Sequence, residues 1–155
     1  MHILYFLDLS HFFKNLINFV IHKLIIKMTK VILDTNFLVY CAKNKIDYVE
    51  GIYDLLNEEF EIVVPIQVID ELKNLSINKF KKISAKDKRA ASLALEILES
   101  KNIKKINPKG KKADDVLIKL AKESRNIICT LDRKIRKLSK RNIVINKFKK
   151  LSLSN

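Results

Sequence analysis

From Met28 onward, short apolar runs rich in Ile and Val alternate with longer stretches of helical periodicity, and this alternation is what most restricts the fold. Strands that are separated by helices lie parallel, with the helices serving as crossovers. Val31–Leu33, Ile62–Val64 closed by Pro65, Ile103–Ile106, Ile127–Thr130 and Ile143–Ile145 read as five such strands. They lack polar alternation, as strands covered on both faces do. Between them, Ile52, Leu55 and Leu56 mark one helix, and Ile66, Ile69, Leu72 and Leu75 mark another with an apolar stripe. Ser84 with Asp87 three residues on forms a capping box ahead of AASLALEILES. The last two helices begin near Ala113 and at Asp132. The expected architecture is an α/β three-layer sandwich around a mostly parallel five-stranded sheet. At 155 residues the chain holds one such unit and one site, over residues 28–150. The basic stretch from Ser76 to Lys86 reads as a mobile loop.

Residue types narrow the chemistry before any position is considered. All three histidines, His2, His11 and His22, precede Met28, so the body has no imidazole to act as base or metal ligand. Histidine triads, histidine-held zinc and paired-histidine RNA cleavage are thereby excluded from it. The two cysteines, Cys41 and Cys129, lie in apolar stretches and form no CxxC pair, which fits buried thiols in a reducing cytoplasm. Carboxylates, lysines and hydroxyls remain. The net charge of +14 attracts polyanions, and nucleic acid is the natural one. A lysine-rich proteome gives the same charge without any such partner, so this feature points to RNA without choosing it.

Residues 1–27 are apolar, but Asp8, His11, Lys14, His22 and Lys23 interrupt them before a membrane span is reached. They also lack the order of a signal peptide. No membrane partner is expected. They read as an N-terminal extension outside the fold, with Met28 as the native start, and an amphipathic surface helix is the other reading.

In an open parallel sheet the functional crevice lies beyond the carboxyl ends of the strands. Asp34 follows the first strand directly and Asp132 follows the fourth; Glu71 sits in the helix after the second, and Asp115 in the first turn of the helix after the third. Four carboxylates at one mouth repel one another unless a cation offsets them. Oxygen donors alone select Mg²⁺ or Mn²⁺. Each residue also has a plainer use: Asp132 as a helix cap, Asp114 and Asp115 as partners of a helix dipole, Glu71 as a solvated residue near Lys73.

The strings ILDTNFLV, PIQVIDEL, ADDVLIKLA and ICTLDRKIR, in that order, resemble the PIN-domain nucleases. The resemblance spans Lys30 to Asn146. It implies that Asp34, Glu71, Asp115 and Asp132 hold Mg²⁺ or Mn²⁺, with Asp114 as the neighbour that fits the motif less well, and that Asn36 and Thr130 support the site. It further implies hydrolysis of single-stranded RNA to a 5′-phosphate and a 3′-hydroxyl. Lys82, Lys86, Lys111, Lys112, Arg133 and Arg136 then serve as an RNA track. Two roles within the family fit: a toxin-type ribonuclease with a small antitoxin partner, or a nuclease of rRNA processing working with ribosome-assembly factors. Pairing into a homodimer is also implied. A non-catalytic RNA-binding module on the same scaffold is the alternative, and loss of an acidic position is its sign. A phosphotransfer domain with Asp34 as acceptor lacks the acidic pair and late lysine it needs.

Overall fold

The computed structural model describes residues 11–21, 28–77 and 83–154. Residues 78–82, the middle of the expected loop, lie outside the described residues, as do Lys79, Lys81 and Lys82. Residues 11–21 form a helix, α1, and every one of them is exposed. Among the described residues no helix is long and apolar enough to cross a membrane.

The body runs β1 (Thr29–Leu33), α2 (Thr35–Asn44), α3 (Tyr48–Leu55), β2 (Phe60–Pro65), α4 (Ile66–Ile77), α5 (Ala85–Ser100), β3 (Lys104–Ile106), α6 (Ala113–Ala121), β4 (Ile127–Cys129), α7 (Arg133–Leu138), β5 (Asn142–Ile145) and β6 (Leu151–Ser154). The sheet order is β3-β2-β1-β4-β5-β6. The first five strands are parallel, and β6 returns antiparallel on β5. Strand order therefore reverses between β1 and β4, whose register sets Leu33 opposite Cys129. Val31, Ile32, Leu33, Ile127, Ile128 and Cys129 are all fully buried, which is why these strands read as continuous apolar runs. The helices flank the sheet, with α2, α4 and α5 packed on one another and α6 packed on α7.

Local chemistry explains the breaks. Lys45 takes a left-handed conformation (φ 55°) that ends α2, and its N–H bonds back to the last turn. Asp47 then caps α3 by accepting from the backbone of Val49 and Glu50. Between β1 and β2 the apolar spacing marks one helix, and this left-handed break makes two. The capping box at the start of α5 forms as expected, with Ser84 Oγ accepting from the Asp87 N–H at 3.1 Å.

The sheet has six strands rather than the expected five. Asn146 makes the difference: its carboxamide oxygen accepts from the N–H groups of Phe148 and Lys150, folding the chain back so that Leu151 pairs with Ile145. The sequence LSLS is too short and polar to announce a strand by itself. Leu151 also rests on Gly51 of α3, where an added Cβ would lie 2.9 Å from Leu151 Cδ1.

Ile128 sits at the centre of this packing with no exposed surface. Ile128→Ala is expected to lower stability by about 2–5 kcal/mol, through lost transfer energy and the cavity left behind. Urea unfolding with an unchanged midpoint would show that β4 is not the middle of a close-packed core.

Candidate active site

The carboxyl ends of β1 to β4, and the N-termini of α2, α4, α6 and α7 that follow them, meet at one edge of the sheet. Asp34 lies there between β1 and α2 and is only 3% exposed. An aspartate at that position ordinarily caps the helix, yet the Asp34 carboxylate makes no capping bond. It accepts instead from the hydroxyl of Thr130, at 2.6 Å, across the strand reversal. Thr130 has no exposed surface, and its Oγ1 also accepts from the Asp132 N–H at 3.0 Å. One hydroxyl thus ties the end of β1 to the start of α7.

Burial pushes the Asp34 carboxyl up to about 6; the Thr130 hydroxyl and the backbone of Thr35 oppose that, and the negative charges of Glu71 and Asp114 add to it. Glu71 and Asp114 are thus the two acids whose charges bear on Asp34. Glu71, on α4, is oriented by Thr35, whose hydroxyl donates to Oε2 at 2.5 Å. Thr35 and Asp34 are adjacent, so one dipeptide organises two of the acids.

The sequence favours Asp115 over Asp114 through the apolar triplet that follows it; both are exposed in the first turn of α6, and they differ in how near they lie to its buried face. Ala113, Val116, Leu117, Leu120 and Ala121 form its buried face. Successive helical residues turn about 100°, so Asp114 borders that face, above Leu117 and Ala121. Asp115 falls on the stripe it shares with Lys119 and Lys122, and all three are exposed. Asp114 is exposed as well, so both aspartates remain at the surface of this turn.

Asp132 does cap α7, with Oδ1 accepting from the Lys134 N–H at 2.6 Å, while Oδ2 is left for another partner. The capping use and a site role are therefore compatible. Among the described residues no three of these acids stand close enough to form a finished ligand set, so the cluster is gathered without being closed. Its donors are all oxygen, and its one buried member is charged only at a cost, which is the chemistry that fits a hard divalent cation.

Thr130, not Asn36, makes the hydrogen bond to Asp34; Asn36 lines an adjacent cleft with Asp132. Of the expected RNA track, Lys111 and Lys112 lie exposed just before α6, Arg133 is exposed at the start of α7, and Lys86 is exposed at the start of α5. Arg136 is different: it is half-buried and reaches Ser154 Oγ of β6 at 3.5 Å, a tie within the fold. Burial raises the Cys41 thiol to about 12 and the Cys129 thiol well above its ordinary value, so neither is a nucleophile at neutral pH.

Two contributors escape the sequence reading, Thr35 and Gln67. Gln67 lies one turn before Glu71 on α4 and is buried, and its Nε2 donates to the carbonyls of Pro108 (3.0 Å) and Gly110 (2.8 Å). It clamps the loop that launches α6, and so couples the placement of Glu71 to that of Asp114. Its signal in the sequence is a polar residue within an otherwise apolar helix face.

A family model described as a PIN-like domain matches residues 31–150. Ribonuclease VapC4 of Methanocaldococcus jannaschii is 37% identical over 120 residues, covering 76% of this chain and 88% of that protein. The structure of the PIN domain endonuclease Utp24 superposes with a TM-score of 0.63 at 22% identity, over 81% of this chain and 90% of the other.

A carboxyl raised from 3.8 to about 6 binds a proton more tightly folded than unfolded, so it costs stability as pH rises through that interval. Asp34→Asn is expected to remove this loss and to stabilise the protein in EDTA at pH 7 by up to about 3 kcal/mol, with little change at pH 3. Thermal melts of both proteins at the two pH values check it; equal shifts at both would mean that Asp34 is charged without strain.

Proposed function

The chain belongs to the PIN-like domain family, and on that premise we propose that it is a Mg²⁺- or Mn²⁺-dependent endoribonuclease that hydrolyses phosphodiester bonds of single-stranded RNA. The observation that carries the reading is the Asp34 carboxylate: buried, released from helix capping, and facing the charges of Glu71 and Asp114 at the reversal of strand order. A structural aspartate would cap its helix and sit in solvent.

Asp34, Glu71, Asp114 and Asp132 are the residues that would hold the cation, with Asp115 on the solvent side of the same turn. A divalent ion there would supply positive charge where negative charge builds on the phosphoryl group. The protein's own contributions are positional. Thr130 fixes one oxygen of Asp34, Thr35 fixes one of Glu71, and Gln67 holds the loop before Asp114. In the hydrolysis, water adds to phosphorus, the bond to the 3′-oxygen breaks, and that oxygen takes a proton, leaving a 5′-phosphate and a 3′-hydroxyl. With no histidine after Met28, the carboxylates are the groups available to accept the proton that water loses. Lys111, Lys112 and Arg133 hold the RNA backbone beside them.

A toxin-type role in the cytoplasm, with a small antitoxin protein as partner, is favoured over rRNA maturation. The supporting observation is that the relative named ribonuclease VapC4 is matched over 88% of its length. The likeness to Utp24, at 22% identity, supports the fold alone.

Wild-type protein is expected to cleave single-stranded RNA with Mg²⁺ or Mn²⁺ and to stop in EDTA. Asp34→Asn and Asp114→Asn each lower the rate by at least about 100-fold while circular dichroism stays native, and Asp115→Asn retains most of it. Full activity in EDTA, or unchanged cleavage by Asp34→Asn, would sink the mechanism. Equal losses at Asp114 and Asp115 would remove the distinction drawn between them.

A further inference from the structure

Helix α2 begins at the acidic cluster, because Thr35 directly follows Asp34. Asn36, Tyr40 and Lys43 stand at i, i+4 and i+7 along it, which aligns them as one stripe leading away from the cluster. Over those seven residues the helix advances about 10 Å. The stripe forms one wall of a cleft of about 570 Å³, a size typical of small-molecule sites. Val39, Leu75, Ile83 and Leu131 give the cleft apolar surface, and Asn36 and Asp132 mark the end nearest the acids. At the far end Lys43 pairs with Asp87.

We propose that this cleft is a nucleobase subsite, in which the ring of Tyr40 stacks on the base of a nucleotide flanking the scissile bond and Lys43 meets the next phosphate. The proposal rests on the ribonuclease reading above and extends it to how RNA is held. A base offers two apolar faces and a polar edge, which suits an aromatic ring among aliphatic side chains with an amide at one end. Charged backbone could not occupy such walls without a cation, and Lys43 supplies one where the apolar surface ends. The Lys43 and Asp87 side chains are 30% and 37% exposed. An ion pair so open to water is weak and exchanges readily for an RNA phosphate. Asp87 keeps its second partner when Lys43 turns away, since Ser84 Oγ donates to its Oδ2 at 2.5 Å. The subsite selects for the presence of a base and not for its identity, because every base has a face to stack.

The test measures binding apart from cleavage. In an Asp34→Asn background with Mg²⁺, fluorescence anisotropy follows a labelled ten-nucleotide oligoadenylate and a ribose-phosphate oligomer of the same length without bases. Tyr40→Ala is expected to weaken the oligoadenylate about tenfold and to leave the abasic oligomer unaffected. Tyr40→Leu keeps the bulk without the flat ring and gives the same result, while Tyr40→Phe restores stacking. Lys43→Ala weakens both oligomers. Equal loss on both oligomers at Tyr40, or none on either, overturns the subsite, and a native thermal melt for Tyr40→Leu removes misfolding as the cause. Cleavage by the wild-type chain with Mn²⁺ is scored separately. Base-dependent binding without cleavage overturns the nuclease reading and keeps the subsite; cleavage with base-independent binding does the reverse.

Discussion

A carboxylate taken out of water at the reversal of strand order is the constraint around which the rest of this protein is arranged. Asp34 is buried, and burial raises its carboxyl to about 6 against the pull of a short hydrogen bond from Thr130. The register of β1 against β4 sets Leu33 beside Cys129, and the next residue on each strand is a member of that hydrogen bond. The bond is therefore a direct product of sheet registry. A shift of one residue would turn the hydroxyl to the other face of the sheet.

From this pair the arrangement spreads through short polar ties. Thr130 also accepts from the N–H of Asp132, and Asp132 caps α7, so the fourth acid is fixed by the same hydroxyl that restrains the first. Thr35 orients Glu71, and Gln67, one turn away on α4, holds the loop that leads to Asp114. The ties at Asp34, Thr35, Thr130 and the Gln67 amide nitrogen satisfy polar groups that burial would otherwise penalise, so the fold gains from forming contacts that also hold the acids. The acids repel one another, which is why no single tie would hold them in place without the close-packed sheet beneath. The helix N-termini at this edge offset part of that repulsion.

How the surrounding positive charge is used follows from where it lies. Lys111, Lys112 and Arg133 are exposed near the acids, Lys43 closes the far end of the cleft, and Arg136 is turned inward to β6. A count of lysines treats these residues alike, whereas their burial separates backbone contacts from structural ones. Arg136 resembles its exposed neighbours in the sequence and differs in being half-buried, with Ser154 of β6 in reach.

The chain by itself determined the layout. Alternating apolar runs specified a parallel α/β sheet, because hydrophobic periodicity is a local property. The strand-end aspartates, the capping box at Ser84 and the lack of histidine after Met28 could likewise be read directly, since each depends on residue type and spacing alone. Tertiary structure decided what needs two distant segments at once. It formed β6 by pairing it with β5, it gave Thr130 to Asp34 across 96 residues of sequence, and it placed Gln67 against a loop more than 40 residues away. It also set Asp114 at the border of the buried face of α6 and Asp115 farther from it, both exposed, according to which side of a short helix packs inward. The physical reason is the same in each case: local spacing fixes which elements form, and only packing fixes which side chains they bring together.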